Sequence, residues 1–234
     1  MNSIYNVEIT SKCQNSCEYC PHKELVRGKR DQHMGYKVWR KCIYWLERLN
    51  QETVCLNGFG EPLLHPSLFE FIRELNEIGI SPYFSTNGEL FTEEIAKRLG
   101  EIGVDYISIS PHSKRVNETI DDIIKSAQVS PGLSPYYLFS DKYPIPISIS
   151  DGFRRLPHTW AGQTGEILNP RFGWPCEFIP GEKCTILSDG TVAQCCIDAE
   201  PSISLGNIMD VNLETLKSKK MPMCDKCHQN GGVV

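Results

Sequence analysis

No stretch of this sequence stays apolar for the roughly 20 residues a membrane-spanning helix needs, so a membrane span is not expected. The opening segment, Met1 to Asn6, has no basic patch leading into an apolar one. It therefore carries no export signal of the usual form, and a cytoplasmic location is expected. Basic residues are few: 24 Lys and Arg stand against 29 Asp and Glu, for a net charge of −5. That excludes the dense positive footprint of a dedicated nucleic-acid binder. No internal repeat is present beyond an alternation of strand-like and helix-like segments.

Cysteine, by contrast, is abundant, with eleven in 234 residues. Disulfide-rich chains are typically small, exported and loop-rich. An odd cysteine count in a longer chain without an export signal points instead to reduced thiols serving as metal ligands. The remaining composition, 40% hydrophobic and 23% charged, is that of an ordinary globular domain. Charge is distributed unevenly. Residues 1–50 hold nine Lys/Arg and five Asp/Glu, or +4, which leaves −9 for the rest. The excess lies mainly between Lys23 and Lys41. It reads as a solvated helix face, or as a rim that attracts an anionic substrate or a reductase.

Residues 4–9 alternate as a strand and lead into a cysteine loop, 13–20. Helices are expected near 36–49, 67–78 and 117–129, with another starting after Thr92 whose apolar face is Ile95, Leu99 and Ile102, and strands at 53–56, 82–85 and 106–110. Thr92 is the cap candidate of the third helix, with Glu93 and Glu94 in its first turn. Alternating strands and helices imply βα units on a parallel sheet. Pro131, Pro135, Pro144 and Pro146 then leave room for short strands near 136–139 and 145–149 but for no helix. A Gly/Pro-rich, aromatic stretch follows at 151–175, and six of the eleven cysteines fall from Cys176 onward. The expected division is a core at 1–150, a connecting loop at 151–175 and a cysteine-rich module at 176–234.

Cys13-x-x-x-Cys17-x-x-Cys20 directly follows the first strand. Three thiolates leave one iron of a 4Fe–4S cluster without a protein ligand, free to take a small molecule. Zinc, with His22 as a fourth ligand, and a disulfide are the alternatives. The spacing and its place resemble the signature of the radical S-adenosylmethionine (SAM) enzymes, with Tyr19 at the aromatic position before the last cysteine. The resemblance implies that the open iron chelates SAM and that Tyr19 lies near the adenine. Gly58-Phe59-Gly60-Glu61-Pro62 is similar to the family's glycine-rich element, whose backbone approaches SAM. Ser85 and Asn87, ending the third strand, fall where the family often places ribose contacts, and Ser108 and Ser110 share one face of the fourth.

Cys176, Gly190, Cys195 and the pair Cys224-x-x-Cys227 resemble the family's C-terminal SPASM/twitch extension. The resemblance implies an auxiliary 4Fe–4S cluster on Cys176, Cys195, Cys224 and Cys227. Asp189-Gly190-Thr191-Val192 reads as a turn into a strand, and a helix is expected near 212–218. Cys184 competes with Cys176 as ligand, Cys176 being preferred because it follows Trp174-Pro175. Cys196 is expected beside the cluster, and Cys42 and Cys55 in the core. A zinc site on the same four thiolates is the alternative.

The implied fold is α/β: a partial, shortened parallel (β/α) barrel with a small twitch-like C-terminal module. The implied cofactors are two 4Fe–4S clusters and SAM. The implied activity is reductive cleavage of SAM, fed by a one-electron donor of flavodoxin or ferredoxin type, and hydrogen abstraction from a substrate. Peptide modifiers of the family commonly carry a leader-binding domain ahead of the core. The first strand here begins near Ile4, so oxidation or rearrangement of a small metabolite is the expectation. Modification of a peptide side chain or nucleobase is the alternative, and the basic N-terminal segment leaves room for a nucleotide-containing substrate. A zinc-stabilised binding protein is the non-enzyme alternative. His112, Arg154, Arg155, His158 and Trp160 form the expected substrate-facing loops.

Overall fold

The computed structural model describes residues 1–17, 20–24, 31–110, 114–126, 136–139, 144–149, 176, 178 and 182–227. The chain divides into two compact units. One comprises Met1–Gln51, Asn57–Gly60 and Leu156–Val234; the other comprises Glu52–Leu56 and Glu61–Arg155.

The second unit carries the βα alternation. Its strands are β2 (Thr53–Cys55), β3 (Ser81–Thr86), β4 (Tyr106–Ile109), β5 (Tyr136–Phe139) and β6 (Pro144–Ile149), in the order β5-β6-β4-β3-β2. Strands β2, β3, β4 and β6 run parallel, and β5 pairs antiparallel with β6 at the edge. The sheet is open, as a shortened barrel requires. Both prolines of β6 precede Ile147, where pairing with β4 begins, so neither interrupts the parallel ladder.

The apolar period of 3.6 fixes the helices of this unit. Helix α2 (Leu68–Glu77) buries Leu68, Phe71, Ile72 and Leu75, spaced to one stripe. Each such fully buried side chain contributes about 1.5–3 kcal/mol relative to exposure. Helix α3 (Glu93–Ile102) is capped by Thr92, whose Oγ1 accepts from the Ile95 amide at 3.2 Å, and ends in Gly103 at φ 79°. It buries Ala96, Leu99 and Gly100, while Ile95 and Ile102 remain only half-buried. Helix α4 (Lys114–Ser126) starts three residues before the sequence pattern suggests and buries Val116, Ile120 and Ile123.

The first unit joins the two ends of the chain. Strand β1 (Ser3–Val7) pairs in parallel with β7 (Lys183–Ile186), which continues antiparallel into β8 (Thr191–Ala193) and β9 (Ser204–Asn207). Helix α1 (Tyr36–Arg48) packs Trp39, Cys42, Ile43, Trp45 and Leu46 into the core; Val38 and Leu49, expected on that face, are half-buried. The Met1 ammonium donates to the carbonyls of Leu213 and Leu216, both at 2.6 Å. The helix expected near 212–218 shrinks to a single 3-10 turn, Leu213–Thr215, started by Asn212. Residues after it cannot continue the helix, because Lys219 pairs its backbone with Gln194 and Pro222 opens a new turn. Among the described residues, no helix is long and apolar enough to cross a membrane.

Candidate functional site: a thiol loop, a glycine turn and a second thiol group

Strand β1 points alternate residues at the glycine turn. The Asn6 amide donates to the Asn57 carbonyl and accepts from the Thr185 hydroxyl at 2.6 Å. Two residues on, the Glu8 carboxylate accepts from the Phe59 amide at 2.9 Å and from the amide and hydroxyl of Ser188 at 3.3 and 3.2 Å. Glu8 is fully buried at 0% exposure, so these three donors replace the water it has lost. The packing leaves no space for side chains on the turn. A Cβ on Gly58 would lie 2.1 Å from Glu8 Oε2, and one on Gly60 2.1 Å from the Thr10 carbonyl oxygen. Gly58 is thus demanded by the Glu8 side chain, and Gly60 by the Thr10 and Lys12 backbone.

The same strand then enters the cysteine loop. Ser11 donates its amide to Gln32, and Met34 donates to Ile9, fixing the loop's first limb against residues 32–34. Cys20 donates its amide to the Cys17 carbonyl at 3.0 Å. Cys13, Cys17 and Cys20 are all half-buried and unbridged. Burial raises the Cys20 thiol above its ordinary value; a backbone hydrogen bond from His22 opposes the rise and the neighbouring Cys17 adds to it. The His22 ring Nε2 donates to the Ser11 carbonyl at 2.6 Å, so that nitrogen is committed to the loop backbone. Cys20 packs against Phe59 of the glycine turn and Ala199 of the C-terminal module.

In the C-terminal module, Gly190 at φ 85° closes the β7–β8 turn, and Cys195 follows β8. Gln194 accepts from the Lys219 amide at 2.9 Å and donates to the Lys219 carbonyl, holding the 219–227 segment beside Cys195. Cys224 and Cys227 sit on the 3-10 turn Pro222–Lys226 and at its end, and the Met221 amide donates to Cys224 Sγ at 3.3 Å. The thiols sense one another. Cys196 donates to Cys195, which lowers Cys195 and raises Cys196; Cys227 raises Cys196 further. Cys224 is raised first by burial, then by Cys195 and Cys176. Cys224 thus feels Cys195 and Cys176, and Cys196 feels Cys195 and Cys227. Cys184 does not join them. It is fully buried in β7 against the Ser3 carbonyl, and burial pushes its thiol up to about 12. Among the described residues, no three His, Cys, Asp or Glu side chains are gathered to hold a single metal ion.

In the second unit, Glu61 ties two strand ends together. Its carboxylate accepts from Thr86 Oγ1 at 2.8 Å, from the Asn87 amide at 2.8 Å and from the Leu63 amide at 3.1 Å. Burial raises its carboxyl above the ordinary range, and the three hydrogen bonds oppose that rise. Asn87 Oδ1 accepts from the Glu89 amide at 3.0 Å, and Gly88 turns at φ 79°. Ser85 is exposed, Ser108 half-buried and Ser110 buried, with the Ser110 amide on the Thr86 carbonyl. Tyr19, His112, Arg154, Arg155, His158 and Trp160 lie outside the described residues. Sequence reasoning passed over Asn6, Glu8 and Thr86. The signal for the first two was a strand whose polar residues, Asn6, Glu8 and Thr10, alternate with Val7 and Ile9.

Half-buried thiols after a first strand, a glycine turn pressed on that strand and a second set of thiols in a small module define a class: a cysteine-rich α/β protein on an open, mostly parallel sheet, with free thiols of the kind that ligate metal. The family follows from comparison with known proteins. The model of the Radical SAM superfamily matches residues 7–129, more than half of the chain, and that of an iron-sulfur cluster-binding domain (SPASM) matches 176–228. The chain belongs to the radical SAM superfamily. Membership brings a 4Fe–4S cluster and SAM, and the C-terminal match brings further iron–sulfur binding.

The fold is shared with the crystal structure of BtrN in complex with AdoMet and 2-DOIA, at 21% identity and a TM-score of 0.68, over 90% of this chain and 79% of that one. A tungsten-containing aldehyde ferredoxin oxidoreductase cofactor-modifying protein of Pyrococcus furiosus is 36% identical over 113 residues, 47% of this chain and 30% of that protein. An S-adenosyl-L-methionine-dependent 2-deoxy-scyllo-inosamine dehydrogenase of Niallia circulans is 28% identical over 114 residues, 47% of this chain and 45% of that protein. These matches span less than half the length of either relative. The donor chemistry fits the implied clusters: the first loop offers three free thiols, and the C-terminal module offers six, with a backbone N–H on Cys224 Sγ.

Proposed function

We propose that this protein reductively cleaves SAM and uses the resulting radical to abstract hydrogen from a small metabolite, with net oxidation as the outcome. Cys13, Cys17 and Cys20 would hold the 4Fe–4S cluster whose open iron binds SAM. Cys176, Cys195, Cys224 and Cys227 would hold the auxiliary cluster. When bound, the first cluster supplies the electron that breaks SAM into methionine and a 5′-deoxyadenosyl radical. The chain's own groups set the stage for that chemistry. Glu8 fixes the Phe59 amide, so the turn beside the thiol loop keeps one shape. Glu61 fixes Asn87 and Thr86 at the end of β3, where a ribose contact is proposed for Asn87, Ser85, Ser108 and Ser110. Tyr19 would lie against the adenine. Holding the abstracted hydrogen close to the radical carbon supplies most of the rate advantage.

The observation that carries this reading is the packing of Cys20 on Phe59 and Ala199. It places the thiol loop, the glycine turn and the C-terminal module in contact. Ligation by Cys176, Cys195, Cys224 and Cys227 would leave the auxiliary cluster no iron for substrate, and would suit it to electron transfer. The likeness to a SAM-dependent dehydrogenase of a small aminocyclitol supports oxidation of a small molecule. Residues 151–175 with His112 remain the proposed substrate-facing loops, the segments 1–150 and 176–234 the proposed core and auxiliary module, and the cytoplasm the proposed location.

The test is anaerobic incubation with SAM, dithionite and candidate substrates. The wild type should form 5′-deoxyadenosine, and Cys13→Ala/Cys17→Ala/Cys20→Ala should form none while retaining auxiliary iron. Undiminished cleavage in that triple variant overturns the assignment. An isomeric product formed with regenerated SAM defeats the oxidative part alone.

A further inference from the structure

Helix α1 opens on a basic rather than an acidic turn, as α4 does with Lys114 and Arg115. The N-terminal turn of a helix exposes amide N–H groups and favours negative charge. Helix α2 places Glu70 there, and α3 places Glu93 and Glu94. The first turn of α1 has no acidic residue, Lys37 stands in it, and no side chain caps Gly35. Local stability gains nothing from a basic first turn, and what sets α1 apart is its outer face.

The outer face of α1 explains what the sequence gains. Tyr36, Arg40 and Tyr44 recur every four residues and form one exposed stripe, with Lys37 and Lys41 alongside. Tyr36 and Tyr44 are each 47% exposed, the most open large hydrophobic side chains among the described residues. The Lys41 ammonium lies 4.8 Å from the centre of the Tyr44 ring. Glu47 appears only in the last turn, and Arg48 is engaged by Glu214 at 2.9 Å. Tyrosines with an arginine on an open helix face match the composition of a protein-binding surface, and the lysines beside them supply charge.

The position of the face says what it would bind. The residues just before α1 are bound to the strand that enters the cysteine loop. Gln32 pairs with Ser11, His33 with Thr10, and Met34 with Ile9. The N-terminal end of α1 is therefore fixed beside the limb that carries Cys13. Electron transfer slows steeply with distance, so a donor seated on Tyr36–Arg40 would be close to the first cluster. Charge adds direction. The chain carries −5 overall, whereas α1 carries Lys37, Arg40, Lys41 and Arg48 against Glu47, so an acidic partner is drawn to this helix.

We propose that the Tyr36–Lys37–Arg40–Lys41–Tyr44 face of α1 docks an acidic one-electron donor protein that reduces the first cluster. The donor gives up one electron and the cluster gains it; no proton or group is transferred. This rests on the radical SAM reading above, and the experiment separates the two. Reduced flavodoxin, an acidic donor protein, and dithionite, a small chemical donor, each drive 5′-deoxyadenosine formation under anaerobic conditions. Flavodoxin binding is measured separately by titration at 50 and 300 mM NaCl. Lys37→Glu/Arg40→Glu should raise the KM for flavodoxin and its Kd at least tenfold, lose most of the salt dependence, and keep the dithionite-driven rate within twofold. Arg73→Glu/Lys97→Glu, which changes net charge equally on exposed positions of α2 and α3, should leave all of these unchanged. Equal losses in the two variants, or no loss in the first, overturn the docking face. If the first variant also loses the dithionite rate, Lys37→Gln/Arg40→Gln is read in its place by the same criteria. Absence of dithionite-driven cleavage in the wild type would instead sink the SAM-cleavage reading.

Discussion

Replacing Glu61 by Gln tests whether the turn after β2 and the end of β3 are held by one buried carboxylate. Two backbone amides point at its two different oxygens: Leu63 at Oε1 and Asn87 at Oε2. An amide side chain has one oxygen and one NH2. Whichever way it is placed, an NH2 faces a backbone N–H, and one buried donor is left without an acceptor. Thr86 adapts, because its hydroxyl can rotate. The expected cost is about 1–3 kcal/mol, the usual range for a buried unsatisfied donor. The pH dependence has a definite sign. Burial raises the folded-state carboxyl above its usual value near 4.5. The stability it contributes is therefore fully present below that value and is lost as pH rises through the raised one. Gln does not titrate, so the gap between wild type and Glu61→Gln should be widest near pH 4.5 and narrow toward pH 8. The hydroxyl oxygen of the neutral acid still accepts a hydrogen bond, so the deficit persists at low pH. Anaerobic thermal unfolding at several pH values measures the gap. Amide exchange at Leu63 and Asn87 shows where it arises. A variant as stable as wild type throughout, with both amides still protected, would refute the argument; so would a gap that widens with pH.

Gly60→Ala should destabilise the protein by at least about 1–3 kcal/mol and weaken SAM binding, since its Cβ would meet the Thr10 and Lys12 backbone. Gly35→Ala, with nothing within 4 Å, should leave SAM binding intact, and equal SAM affinities in the two variants would contradict this reading. Cys184→Ala should keep its full complement of auxiliary iron, whereas Cys176→Ala should lose it; iron and sulfide analysis giving the reverse would exchange their roles. Thr92→Ala removes the cap of α3 and should cost about 1 kcal/mol, read by thermal unfolding, with no change in SAM cleavage per folded molecule.

Much of this protein was legible in the residue order because its signals are local. The period of 3.6 in Leu68, Phe71, Ile72 and Leu75 placed α2 and its buried stripe. A hydroxyl followed by two glutamates placed the start of α3. Cysteine spacing is local too: three thiols within eight residues can sit on one loop whatever the rest of the chain does.

Only tertiary structure could decide which distant segments meet. The pairing of β1 with β7 joins residues about 180 apart, and no periodicity encodes a partner strand. That pairing brings Ser188 to Glu8, and Glu8 to the glycine turn, so a strand glutamate becomes a buried anchor. The two candidate thiols ahead of Gly190 were nearly interchangeable on spacing. The parallel register that sets Cys184 opposite Ile4 buries it in the sheet, away from the other thiols. The helix expected at 212–218 failed for the same reason. Its helical propensity is a weak preference, and the backbone pairing of Lys219 with Gln194 outweighs it. A short sequence fixes what a segment can form alone, but hydrogen bonds between segments far apart in the chain decide which of those forms survives.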